Sequence, residues 1–123
     1  MSRTILVVDD DADVRRLAVM SLGRVGGHEV RAADSGAACL VALQESVPDL
    51  VLLDVMMPLM DGPATLDEIR ANPRTSTLPV VFLTAGLVES DMDRLRALPV
   101  SGVLRKPFDP MQLPADLAAL LGW

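Results

Sequence analysis

The sequence predicts an α/β domain in which five parallel strands form one sheet with helices on both faces. Three observations predict it. A short apolar run followed by a helix-spaced apolar pattern occurs five times along the chain, and strand–helix alternation of this kind builds a parallel sheet. The short runs are continuously apolar instead of alternating, as strands covered on both faces are. The length of 123 residues, half of them apolar, suits one globular domain that buries its own core without disulfide or zinc support. Residues 1–123 therefore read as a single domain, without linker or low-complexity segment. The aromatics are Phe82, Phe108 and Trp123 alone, so the core is aliphatic.

Each element has a local reason. Thr4-Ile5-Leu6-Val7-Val8 is a buried strand stopped by three consecutive aspartates, Asp9, Asp10 and Asp11. Val14, Leu17, Ala18, Leu22 and Val25 fall on one face of a helix that Gly26-Gly27 ends. The second strand runs from His28 to Ala32. Ser35 caps a helix reaching about Glu45. After Pro48, Leu50 to Leu53 form a third strand that ends on Asp54. Met57-Pro58 and Asp61-Gly62-Pro63 make a loop, and a short helix buries Leu66 and Ile69. Pro79 to Leu83 is the fourth strand, ending at Thr84. Ser90 caps the next helix, with Asp93 as its acidic partner and Met92, Leu95 and Leu98 as its apolar stripe, until Pro99 stops it. Gly102 to Leu104 is the fifth strand, ending at Lys106. Asp109 and Pro110 open a last helix carrying Leu113, Leu117, Leu120 and Leu121, and Pro114 predicts a bend or loose first turn within it.

Composition excludes several classes of function. The net charge is −6 and no basic stripe exists, which argues against direct nucleic-acid binding. No apolar run approaches the roughly 18 residues of a membrane span, and the N-terminus lacks the pattern of a signal peptide. A soluble, cytoplasmic protein is expected. Cys39 is the only cysteine, so no intrachain disulfide forms, and its Ala-rich surroundings read as a buried helix face.

Ligands of open α/β sheets bind beyond the carboxyl ends of the strands. Those ends here carry Asp9 and Asp10, Asp54, Thr84 and Lys106. A single Asp there is an ordinary helix cap, but five polar groups gathered on one edge are not. Two like charges about 4 Å apart cost roughly 4 kcal/mol at an effective dielectric near 20, so a buried trio of carboxylates calls for a cation. All-oxygen ligands suit Mg²⁺, and without a Cys/His cluster zinc fits poorly. Lys106 and Thr84 supply the cation and the hydroxyl that hold phosphoryl oxygens, and a carboxylate can accept a phosphoryl group.

Val7-Val8-Asp9-Asp10, Leu53 to Gly62 with its Met57-Pro58 and Asp61-Gly62 pairs, Leu83-Thr84-Ala85 and Lys106-Pro107-Phe108 together resemble the response-regulator receiver domains of two-component signalling. The likeness covers nearly the whole chain in order. It implies a doubly wound (βα)5 sheet of order 2-1-3-4-5, the flavodoxin-like, CheY-like arrangement. It implies that Asp54 is the phosphoacceptor. Asp10 and Asp54 would bind Mg²⁺ through carboxylates, Met56 through its backbone carbonyl, and Asp9 mostly through water. Lys106 would hold a phosphoryl oxygen, its bond to Pro107 being cis, and Thr84 would turn toward the phosphoryl group. The expected donor is a histidine kinase or histidine phosphotransfer protein. The expected output is a protein contact through the helix 4–strand 5–helix 5 face, since no output domain follows Trp123; homodimerisation through that face is open. The chain would be a phosphoacceptor with self-dephosphorylation at most, not an enzyme.

Three other readings compete: a shuttle within a multistep phosphorelay, an aspartyl-phosphate phosphohydrolase and an unphosphorylated binding module. The hydrolase needs an acid two residues after its nucleophile, where Met56 stands. The binding module usually loses the acids that are all present here.

Two departures concern the readout. Val103 occupies the place, three residues before Lys106, where many receivers carry an aromatic that moves on activation. Met56 and Gly86, two residues after Asp54 and Thr84, cannot hydrogen-bond an attacking water, so slow loss of the phosphoryl group is expected. Asp11 and Asp13 read as helix N-terminal acids, Asp61 as a loop residue, His28 as a surface histidine, Met57 and Met60 as packing residues, and Trp123 as packed on the last helix or the place where a longer protein was cut.

Overall fold

The computed structural model describes residues 2–86 and 88–123. Its elements are β1 (Thr4–Val8), α1 (Ala12–Met20), β2 (Glu29–Ala33), α2 (Gly36–Glu45), β3 (Leu50–Asp54), α3 (Gly62–Ala71), β4 (Val80–Thr84), α4 (Glu89–Arg96), β5 (Gly102–Arg105) and α5 (Leu113–Leu121). The strands form one parallel sheet, as the sequence predicts, in the order β2-β1-β3-β4-β5 that the family resemblance implies. From β1 the chain winds outward to β2, then returns to β3 and winds the other way. The crevice between β1 and β3 is the switch point where such sheets bind ligands.

Successive strand side chains point to opposite faces, so each buried run feeds two cores. Leu6, Val8, Val51, Leu53, Val80 and Phe82 pack with Cys39 and Leu43 of α2 and Leu66 and Ile69 of α3. Ile5, Val7, Leu50, Leu52, Val81 and Leu83 pack with Ala18 of α1 and Leu113 and Leu117 of α5. The central strands β3 and β4 are buried at every residue, which is why their sequences do not alternate.

Local boundaries differ from expectation at five places. The predicted first helix divides into α1 and a π-helical segment, Ser21–Val25, in which Gly26 N–H donates to the Ser21 carbonyl five residues back. This wider turn buries Leu22 and lets the Ser21 hydroxyl donate to the Pro110 carbonyl near α5. Gly27 then reverses the chain at φ 72°, and β2 begins one residue later than predicted. Asp61 is not merely a loop residue: its carboxylate caps α3 by accepting from Ala64 N–H. Ser90 does not cap α4, which starts at Glu89 after Val88; Glu89 and Asp91 in the first turn complement the helix dipole instead. Asp109 does not open α5. It holds a turn by accepting from Met111, Gln112 and Leu113, so Pro114 falls in the first turn, where its missing N–H breaks no helical bond.

Candidate functional site

Parallel strands deliver their carboxyl ends to one edge. Val8 pairs with Leu53, so the next residues, Asp9 and Asp54, stand side by side across the central crevice. Thr84 closes β4 and Lys106 follows β5. Asp9, Asp54 and Thr84 are buried, whereas Asp10 is exposed. Carboxylate oxygens of Asp9, Asp10 and Asp54 lie within 4.8 Å of one another. The Lys106 ammonium reaches into the cluster, 2.8 Å from Asp9 Oδ2 and 3.0 Å from Asp54 Oδ1. The Lys106–Pro107 peptide is cis, as the family resemblance implies.

Burial pushes the Asp54 carboxyl up; the Lys106 hydrogen bond opposes this and the Asp9 charge adds to it, leaving its pKa at about 6. Asp54 is thus predominantly ionised at neutral pH. Burial pulls the Lys106 ammonium down, but its contacts with Asp9 and Asp54 outweigh that and hold its pKa above the ordinary value. One lysine therefore faces three acids, and the cluster keeps excess negative charge.

That excess fits a divalent cation. Asp9 Oδ1 accepts from Asp11 N–H at 2.9 Å, whereas buried Oδ2 accepts no directed hydrogen bond and has only the nearby ammonium charge. Among the described residues none donates to the Met56 carbonyl. A donor set of carboxylate oxygens suits Mg²⁺.

The chain matches the response regulator receiver domain model over residues 5–118. It belongs to that family. GltR, a transcriptional regulatory protein of Pseudomonas aeruginosa, is 40% identical over 119 residues, covering 97% of this chain and 49% of that protein. The first curated relatives are about twice as long as the stretch they share with this chain. Among solved structures, the chemotaxis response regulator CheY4 of Vibrio cholerae superposes with a TM-score of 0.88 at 28% identity, over 98% of this chain and 99% of that one. The N-terminal domain of a response regulator receiver protein from Methanoculleus marisnigri JR1 gives 0.78 at 38% identity, over 98% of each chain. This receiver is thus a CheY-like module of two-component signalling.

Within the receiver the predicted residues meet unevenly. Asp9, Asp10, Asp54 and Lys106 converge directly. Thr84 shares their edge, but its hydroxyl accepts from Gly86 N–H at 3.0 Å and bonds none of the acids. Met56 is 76% exposed and lies with Thr84, Ala85, Gly86 and Leu95 around an open apolar groove of about 600 Å³. Val103 packs from β5 against the Phe82 core. Asp11 caps α1, accepting from Asp13 and Val14 N–H. Met57 is buried; the Met60 sulfur lies against Gly36. His28 is half-buried, not a free surface residue: its Nδ1 accepts from Arg3 N–H and its ring packs on Trp123. Burial pushes the Cys39 thiol up to about 12, which leaves it protonated. No helix of the described residues is long and apolar enough to cross a membrane.

Two residues have roles at the site that the sequence reading does not give: Gly62, read there only as part of a loop, and Arg15. Gly62 lies so close behind Asp54 that a Cβ there would sit 2.6 Å from the Asp54 carbonyl oxygen and 2.8 Å from Val55 Cα. Arg15 donates from Nη1 to the Asp9 carbonyl at 2.8 Å. A cation near the N-terminus of a helix opposes the dipole, and that anomaly was the available signal for Arg15.

Proposed function

We propose that Asp54 takes a phosphoryl group from a histidine kinase or histidine phosphotransfer protein, and that residues 1–123 act as one receiver domain whose protein contacts change in consequence. The observation that carries this reading is the Lys106 ammonium set 2.8 and 3.0 Å from Asp9 and Asp54 beside three converging carboxylates. An Asp54 oxygen attacks the phosphorus of a phosphohistidine. The P–N bond breaks, its electron pair returns to the imidazole, and an acyl phosphate forms on Asp54. Asp9, Asp10, Asp54 and the Met56 carbonyl are the groups that would hold Mg²⁺, which when bound neutralises charge on the phosphoryl oxygens. Asp54 gives up its own negative charge to the new bond, so Lys106 is free to pair with a phosphoryl oxygen instead. The Thr84 hydroxyl can turn from Gly86 N–H and donate to the same group. That turn draws on the segment leading to α4, and the α4–β5–α5 face changes its affinity for a downstream protein or a second copy.

Intact-mass spectrometry after incubation with acetyl phosphate, with and without Mg²⁺, tests the reading. Wild type gains one phosphoryl group when Mg²⁺ is present and Asp54→Asn gains none. Equal gain by both proteins would overturn it.

A further inference from the structure

Arg15 lies in the opening turns of α1, beside a small open cavity lined by Ala32, Ala33, Asp34 and Ala38. Arg16 next to it pairs with Asp13, yet no ion pair of Arg15 occurs among the described residues. Its half-buried guanidinium is spent on a neutral acceptor, the Asp9 carbonyl, at 2.8 Å. That carbonyl and the Asp10 amide belong to one planar peptide unit, so holding the oxygen fixes the plane from which Asp10 departs. The other ties on Asp9 act elsewhere: its N–H donates to the Ala33 carbonyl at 3.2 Å, and Oδ1 accepts from Asp11 N–H at 2.9 Å. Asp10 itself is exposed, so packing does not aim its carboxylate. Its direction follows from the backbone.

We infer that Arg15 is a positioning residue: by clamping the Asp9–Asp10 peptide it aims the two carboxylates at the divalent cation. The inference rests on the reading of the acidic cluster as a Mg²⁺ site. It separates by sign from a simple charge effect. As a bare positive charge near three acids, Arg15 weakens cation binding, and removing it tightens that binding. As a clamp it strengthens binding, and removing it loosens the site. Partners that orient metal ligands typically change affinity by about tenfold or more when lost.

Calorimetric titration with Mg²⁺ decides the matter, with urea unfolding as the measure of fold and no phosphodonor present. Arg15→Met is expected to bind Mg²⁺ about tenfold more weakly than wild type. Arg15→Lys, which keeps the helix and the charge but loses the planar fork, falls between the two. Where the methionine variant does not fold, the lysine variant decides alone: weaker binding supports the clamp and wild-type binding overturns it. Unchanged or tighter binding by folded Arg15→Met overturns the inference while the Mg²⁺ site stands. A wild type that binds no Mg²⁺ overturns the site reading and this inference with it.

Discussion

Met56 is exposed on the groove that Gly86 also lines, so on the proposed reading its thioether would face the solvent side of an Asp54 acyl phosphate, and Gly86 offers no side chain there. Neither can orient a water for attack, so a phosphoryl group on Asp54 is expected to be shielded and unassisted. Met56→Asn supplies an amide that can hold such a water, and its phosphoprotein should decay several-fold faster than wild type in a mass-spectrometric time course; equal or slower decay contradicts the shielding. Gly62 works from the other side of Asp54. Its N–H donates to the Val55 carbonyl at 2.8 Å, and the close approach leaves no room for a methyl group. Gly62→Ala should lose about 2 kcal/mol in urea unfolding, the usual scale of overpacking, and accept phosphoryl groups more slowly. The acids, Thr84 and Lys106 were legible in the sequence because each sits at the end of an apolar run, and parallel topology turns that position into convergence. Gly62 and Arg15 were not legible as site residues, because each acts on a backbone atom that only the folded chain brings near.

Elements were legible where the hydrophobic pattern is long and less so where caps decide. Ser90 with Asp93 mimics a capping pair, but α4 begins at Glu89 and takes its acids from Glu89 and Asp91. Pro114 reads as a defect only while the helix is thought to start before it; with Leu113 as the first residue it is a starter. The edge away from the acids holds an arrangement that joins β1, β2 and α5. Arg3 N–H donates to His28 Nδ1 at 3.0 Å, the His28 and Trp123 rings are 5.5 Å apart, and the Arg3 guanidinium lies 5.0 Å over Trp123. Burial, with the Arg3 charge adding to it and Asp49 opposing, holds the His28 pKa below its ordinary 6.5. A depressed folded pKa means that the stabilisation is present above pH 6.5 and is lost as pH falls through the folded value. Urea titrations from pH 7.5 to about 5 should therefore show wild type losing more stability than His28→Phe. Parallel losses in the two proteins would show that the histidine carries no such linkage.

At the scale of the molecule, the two cores brace a sheet whose central crevice presents three converging carboxylates and the Lys106 ammonium, a cluster that calls for a cation. Every residue of the proposed phosphoacceptor site is present, while Val103, partly buried against the Phe82 core, stands where the family resemblance implies an aromatic. On the proposed reading, signal transmission is expected to run through Thr84 and α4. Glu89 at the start of α4 pairs with Arg105 at the end of β5 and, at 3.6 Å, with Arg96, so a shift of α4 rearranges exposed charges beside Lys106. The strand–helix alternation and the site edge followed from sequence pattern, and the strand order from the family resemblance; the coupling followed from neither, because it depends on how packed elements move. The central claim concerns one residue of this assembly. Borohydride reduction of the acetyl phosphate-treated, Mg²⁺-loaded protein converts an aspartyl phosphate to homoserine, which peptide sequencing by mass spectrometry locates. The account predicts homoserine at position 54 alone; homoserine at position 9 or 10, or none in a folded, Mg²⁺-loaded sample, would contradict it.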